Sequence, residues 1–106
     1  MFIKICGALC TKTKPEFKMK LREVVKSTLP RRQWSNTTIT YFSQECTDLN
    51  GESVVIIEIT APDRQNRQMR DILQALESVH WSHYLGTKVT VRAVEERLIA
   101  SKSTGL

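Results

Sequence analysis

The run Val54-Val55-Ile56-Ile57-Glu58-Ile59 constrains this chain more than any other stretch. It is rich in β-branched side chains and is bounded by Asn50-Gly51 before it and Pro62 after it, so it reads as a buried central strand. Asn-Gly is a strong hairpin signal because a two-residue turn of this kind needs positive φ at both central positions. A hairpin closed there sets Cys46 opposite Val55, Gln44 opposite Ile57 and Phe42 opposite Ile59, all on the core face. The same register gathers Ile39, Tyr41, Val54 and Ile56 on the other face, beside Glu45 and Glu58.

The flanking segments supply the rest of a two-layer domain. Phe2 to Leu9 reads as a first strand, with Ile3, Ile5, Gly7 and Leu9 on one side; Gly7 marks a bulge or a close contact. Thr13-Lys14-Pro15-Glu16 has the form of a capping box that opens a helix. Phe17, Leu21, Val24, Val25 and Leu29 then recur at helical spacing, and Pro30 ends that helix because the residue before proline avoids helical dihedrals. A second strand is expected from about Thr37 to Cys46.

Beyond the central strand, Thr60-Ala61-Pro62-Asp63 repeats the threonine, proline and acid of Thr13 to Glu16 at an offset of 47 residues. Each copy follows a strand and opens a helix, which hints at two β-α-β halves. Met69, Ile72, Leu73, Leu76 and Val79 form the inward stripe of the second helix. It ends near Val79 or runs on to Leu85, with Gly86 as a left-handed terminator. Thr87 to Val94 alternates as a fourth strand, with Val89, Val91 and Ala93 inside. The order strand, helix, strand, strand, helix, strand suggests a ferredoxin-like α+β sandwich. Its four antiparallel strands would run in the order 4-1-3-2, with two helices on one face.

A chain of 106 residues suffices for one such domain, expected to span residues 1–100 with a frayed tail at 101–106. No apolar run approaches the roughly 20 residues of a membrane helix, and no secretory leader precedes the first strand, so a cytoplasmic location is expected. The three cysteines cannot all pair within one chain, which favours free thiols. Cys6 and Cys10, four apart on a strand, stand about 13 Å from each other, beyond the roughly 7 Å limit for a disulfide.

No catalytic or ligand motif stands out, so function is read from surfaces. The apolar set Ile39, Tyr41, Val54 and Ile56 points to a non-catalytic module that self-associates through the open sheet face, a dimer in the first instance. The alternative is nucleic-acid binding. Residues 1–34 carry nine basic groups against two acidic ones, a surplus of +7. Lys18, Arg22 and Lys26 form a column on the first helix, and Arg31-Arg32 next to Trp34 couples charge with a stacking surface. An RNA-recognition-motif domain shares the topology, but alignment on Gly51 puts Glu52, Val54 and Ile57 where its stacking aromatics belong. A third reading is a small enzyme with a pocket beneath the second helix, lined by His80, Trp81, His83 and Tyr84. The two histidines lack a nearby third ligand, so neither a metal site nor a cofactor is expected.

Overall fold

The computed structural model describes residues 1–8 and 14–95. In chain order the elements are β1 (Phe2–Cys6), α1 (Lys14–Thr28), a 3₁₀ turn (Arg31–Asn36), β2 (Thr38–Phe42) and β3 (Val54–Ala61). A second 3₁₀ turn (Asp63–Gln65), α2 (Asn66–Glu77), α3 (Trp81–Leu85) and β4 (Lys88–Glu95) follow. Leu9, Cys10, the Thr13 cap and the tail at 101–106 lie outside the described residues.

The four strands form one sheet in the order β2-β1-β3-β4. β1 pairs parallel with β2 and β3 parallel with β4, while β1 and β3, the two central strands, run antiparallel. The sheet is therefore mixed, and both the expected order 4-1-3-2 and its purely antiparallel pairing are corrected. Parallel neighbours need a crossover of a dozen or more residues, and α1 and α2 each lie within one. The molecule is thus built from two β-α-β halves laid side by side in opposite directions.

This pairing explains why the Asn50-Gly51 signal misled. The chain does turn there, with Gly51 at φ +80°, and the Asp48 carboxylate accepts the Asn50 and Glu52 amides over 2.9 and 3.0 Å. Past the turn, however, the two arms share only a single bridge between Thr47 and Ser53. The α1 crossover carries β2 to the outer edge of β1, so β1 stands between β2 and β3 and no long hairpin forms. Local turn chemistry was satisfied while the strand pairing was decided elsewhere.

One face of the sheet carries the core. Ile3 and Ile5 of β1, Val55, Ile57, Ile59 and Ala61 of β3, Phe17, Leu21, Val25 and Leu29 of the first half, and Met69, Ile72, Leu76 and Trp81 of the second are all buried. Each large aliphatic side chain in this set contributes roughly 1.5 to 3 kcal/mol by leaving water. Val89, Val91 and Ala93 of β4 are half-buried against it. The second helical stretch divides: α2 stops at Glu77, and the separate turn α3 ends on Gly86 at φ +64°. Trp81 seals that end, donating its Nε1 to the Leu76 carbonyl over 2.7 Å and meeting Phe17 edge-on at 5.3 Å.

Among the described residues no helix lies on the other sheet face. It presents Phe2, Lys4 and Cys6 of β1, Thr38, Thr40 and Phe42 of β2, Val54, Ile56, Glu58 and Thr60 of β3, and Lys88, Thr90, Arg92 and Val94 of β4. Here the expected interface set is split in two. Ile39 pairs with Ile3 and Tyr41 with Ile5, which puts both on the helix side, while Val54 and Ile56 stay on the open side. Phe42, expected in the core, is instead 38% exposed on that open face. The cause is the parallel pairing of β2, which reverses the side to which its alternate residues turn.

Candidate active site

A cleft opens where β2, at the sheet edge, turns its inward residues toward the C-terminal half of α1. Its walls are Arg22, Val25 and Lys26 from α1, Leu29 just past its end, Trp34 from the 3₁₀ turn, and Thr37, Ile39 and Tyr41 leading into and along β2. The cavity holds about 310 Å³, at the small end of the range typical of small-molecule pockets. Val25, Leu29 and Ile39 make its floor apolar. The helical spacing that buries Val25 and Leu29 also brings Arg22 and Lys26 to the rim, one turn apart.

The rim is ordered by contacts between cations and aromatic rings. Lys18 Nζ stands 4.4 Å from the centre of the Tyr41 ring, and Lys26 Nζ 5.1 Å from that of Trp34. The Arg31 guanidinium lies 6.0 Å from the same indole. Trp34 is fixed in turn by its Nε1, which donates to the Leu29 carbonyl over 3.1 Å. Among the described residues the ion pairs are Lys20–Glu23 and Glu58–Arg92. Arg22 and Lys26 therefore face the cleft with their charge uncancelled by a carboxylate. Burial pushes the Tyr41 phenol above its ordinary 10.0, with the Arg22 charge pulling the other way. That hydroxyl keeps its proton at neutral pH and is available as a hydrogen-bond donor.

The residues singled out in the sequence thus regroup. Lys18, Arg22, Lys26, Arg31 and Trp34 do come together, but around a concave pocket instead of a flat stacking surface; Arg32 is exposed beside them. Tyr41 and Ile39 join this group from the supposed interface. They were missed because alternation along β2 shows which residues share a side and not which side that is. At the far end of the molecule, His80 borders a groove with Glu77 and Ser82. His80, His83 and Tyr84 border another, with Lys20. Trp81, expected to line a pocket there, borders the first of these grooves but is 4% exposed and belongs to the core. Among the described residues no group of three or more metal-ligating side chains is present, and no helix is long and apolar enough to cross a membrane.

No protein-family model matches the sequence, and no curated protein matches it. Solved structures do share its shape. Pt0534 inactivated by 2-oxo-3-pentynoate aligns at 13% identity over 90% of this chain and 85% of its own, with a TM-score of 0.60. A fused 4-OT described as a symmetric trimer aligns at 13% identity over 90% and 86%, with a TM-score of 0.62. Malonate semialdehyde decarboxylase aligns at 12% identity over 91% and 84%, with a TM-score of 0.53. That last protein is described with decarboxylase and hydratase activities, and was also solved with the proline at its first position replaced by alanine. The chain shares its α+β, β-α-β fold with these proteins.

These likenesses overturn the reading as a non-catalytic interaction module, since a malonate semialdehyde decarboxylase and a member of the cis-3-chloroacrylic acid dehalogenase family share the fold. Nucleic-acid binding finds no support among them either.

Proposed function

We propose that this protein is an enzyme acting on a carboxylic acid activated by a neighbouring carbonyl or double bond, with the cleft between α1 and β2 as its active site. The observation that carries this reading is the convergence of Arg22, Lys26 and a protonated Tyr41 on one apolar-floored cavity. Two cations, free of carboxylate partners among the described residues, suit a substrate carboxylate. The Tyr41 hydroxyl donates a hydrogen bond to the carbonyl oxygen as it gains charge on enolisation, while the proton released from the neighbouring carbon passes to solvent at the open mouth of the cleft. The apolar floor excludes water and strengthens both interactions.

The compounds named with two of the fold relatives, 2-oxo-3-pentynoate and malonate semialdehyde, are acids of this class. The polar groups assigned to this chain are those of its own cleft, Arg22, Lys26 and Tyr41.

The working form we take to be a homo-oligomer, in keeping with the symmetric trimers of fused 4-OT. The uncovered sheet face supports this, because Phe2 and Phe42 are 42% and 38% exposed there beside Val54 and Ile56.

Deuterium exchange at the carbon next to the carbonyl of 2-oxobutanoate, followed by proton NMR in heavy water, tests the assignment. Exchange above the buffer rate is expected with the wild type. It should fall at least tenfold with Arg22→Ala and with Tyr41→Phe. An equal rate with and without protein, for both this acid and a 3-oxo acid scored by loss of carbon dioxide, would sink the reading.

A further inference from the structure

The cleft does not end at Trp34. A second, shallower hollow of about 520 Å³ lies on its outer side, lined by Met19, Arg22, Glu23, Lys26, Ser27 and Trp34. Arg22, Lys26 and Trp34 line both hollows, so the two share one wall and the cations stand at the junction. The outer hollow follows one stripe of α1: Met19, Arg22, Glu23, Lys26 and Ser27 fall at spacings of three and four. Its apolar surface comes from the Met19 side chain and the indole, together with the stems of Arg22 and Lys26. Met19 is 69% exposed, costly for a large apolar side chain beside a tryptophan unless something covers it. Glu23, the one acid in the stripe, is drawn toward Lys20, with 3.8 Å between the charged atoms. A short acid leaves this outer hollow empty.

On the reading of the cleft given above, we infer that the substrate is an amphipathic acid. Its carboxylate is held between Arg22 and Lys26, and an unbranched apolar tail lies along α1 over Trp34 and Met19. Arg22 and Lys26 fix the head; Met19 and Trp34 set the length of tail that is accepted. A flexible methionine and an indole edge suit a tail of variable length better than a rigid ring.

Titration with straight-chain carboxylates from acetate to decanoate, at fixed ionic strength and below their micelle concentrations, tests the inference. Calorimetry gives the affinity. The fluorescence of Trp34, separated from that of buried Trp81 by a Trp34→Phe control, reports the place of binding. Each added methylene is expected to lower Kd about three- to fourfold until the tail passes Met19. Met19→Ser, which removes the apolar side chain without adding charge beside Arg22, should leave acetate and propanoate binding unchanged and flatten that dependence. Short acids that bind with no gain from length would overturn the inference and leave the active-site reading standing, as would a slope untouched by Met19→Ser. Failure of every acid to bind would remove both.

Discussion

Lys26 and Trp34 are locked together at the mouth of the cleft. The ammonium lies 5.1 Å from the indole centre, and the indole Nε1 donates to the Leu29 carbonyl, the last buried position after α1. One side chain thus joins the helix end to the 3₁₀ turn, shapes both hollows and lies against the Lys26 cation.

Trp34→Phe removes that hydrogen bond and keeps most of the packing. A loss of about 1 kcal/mol is expected from urea unfolding, because the Leu29 carbonyl regains water at a partly exposed site. The same variant should bind a carboxylate more weakly, as the smaller phenyl ring holds Lys26 less firmly than the indole does.

Tyr41 imposes a dependence on alkaline pH. Its phenol has a raised value in the folded protein, from burial first and with Arg22 opposing. The folded state therefore holds the proton more tightly than the unfolded chain. The contribution is fully present below the unfolded value near 10 and is lost as pH rises through the folded value. Wild type should lose stability more steeply than Tyr41→Phe across that window, with no difference in slope between them near neutrality. Thermal melts of both proteins from pH 8 to 11 check this.

Gly7, where β1 ends, adopts φ +140° with its amide bonded to the Phe42 carbonyl over 3.1 Å. A Cβ placed there would lie 2.9 Å from Val55 Cγ2 and 3.0 Å from the Val54 carbonyl oxygen. Gly7→Ala must strain the backbone and push against a central strand at once. A cost of about 2 to 4 kcal/mol is expected in equilibrium unfolding.

Phe42→Asp places a charge on the uncovered sheet face without touching the cleft. The variant should remain folded by circular dichroism. Sedimentation should show a mass below that of the wild-type oligomer. A wild type already of one-chain mass would contradict the proposed assembly.

Much of the local structure was legible in the residues alone. The spacing of Phe17, Leu21, Val25 and Leu29 and of Met69, Ile72 and Leu76 specifies both helices and the faces they bury. Alternation in Val54–Ala61 and Val89–Ala93 specifies two strands and their inward sets. Gly7 announced a tight contact that the packing contains. These features depend on neighbours within a few positions, which is the range over which side-chain spacing and turn chemistry act.

Strand partnership is another kind of quantity. Whether β2 lies against β1 or β3 depends on a crossover through α1 and on contacts more than thirty residues apart, so no local pattern around Thr38–Phe42 contains the answer. The Asn50-Gly51 turn has the same sequence in either arrangement. Only the assembled sheet turns Ile39 and Tyr41 under α1, where Arg22, Lys26 and Trp34 meet them, and a surface expected to join molecules becomes the wall of a cleft.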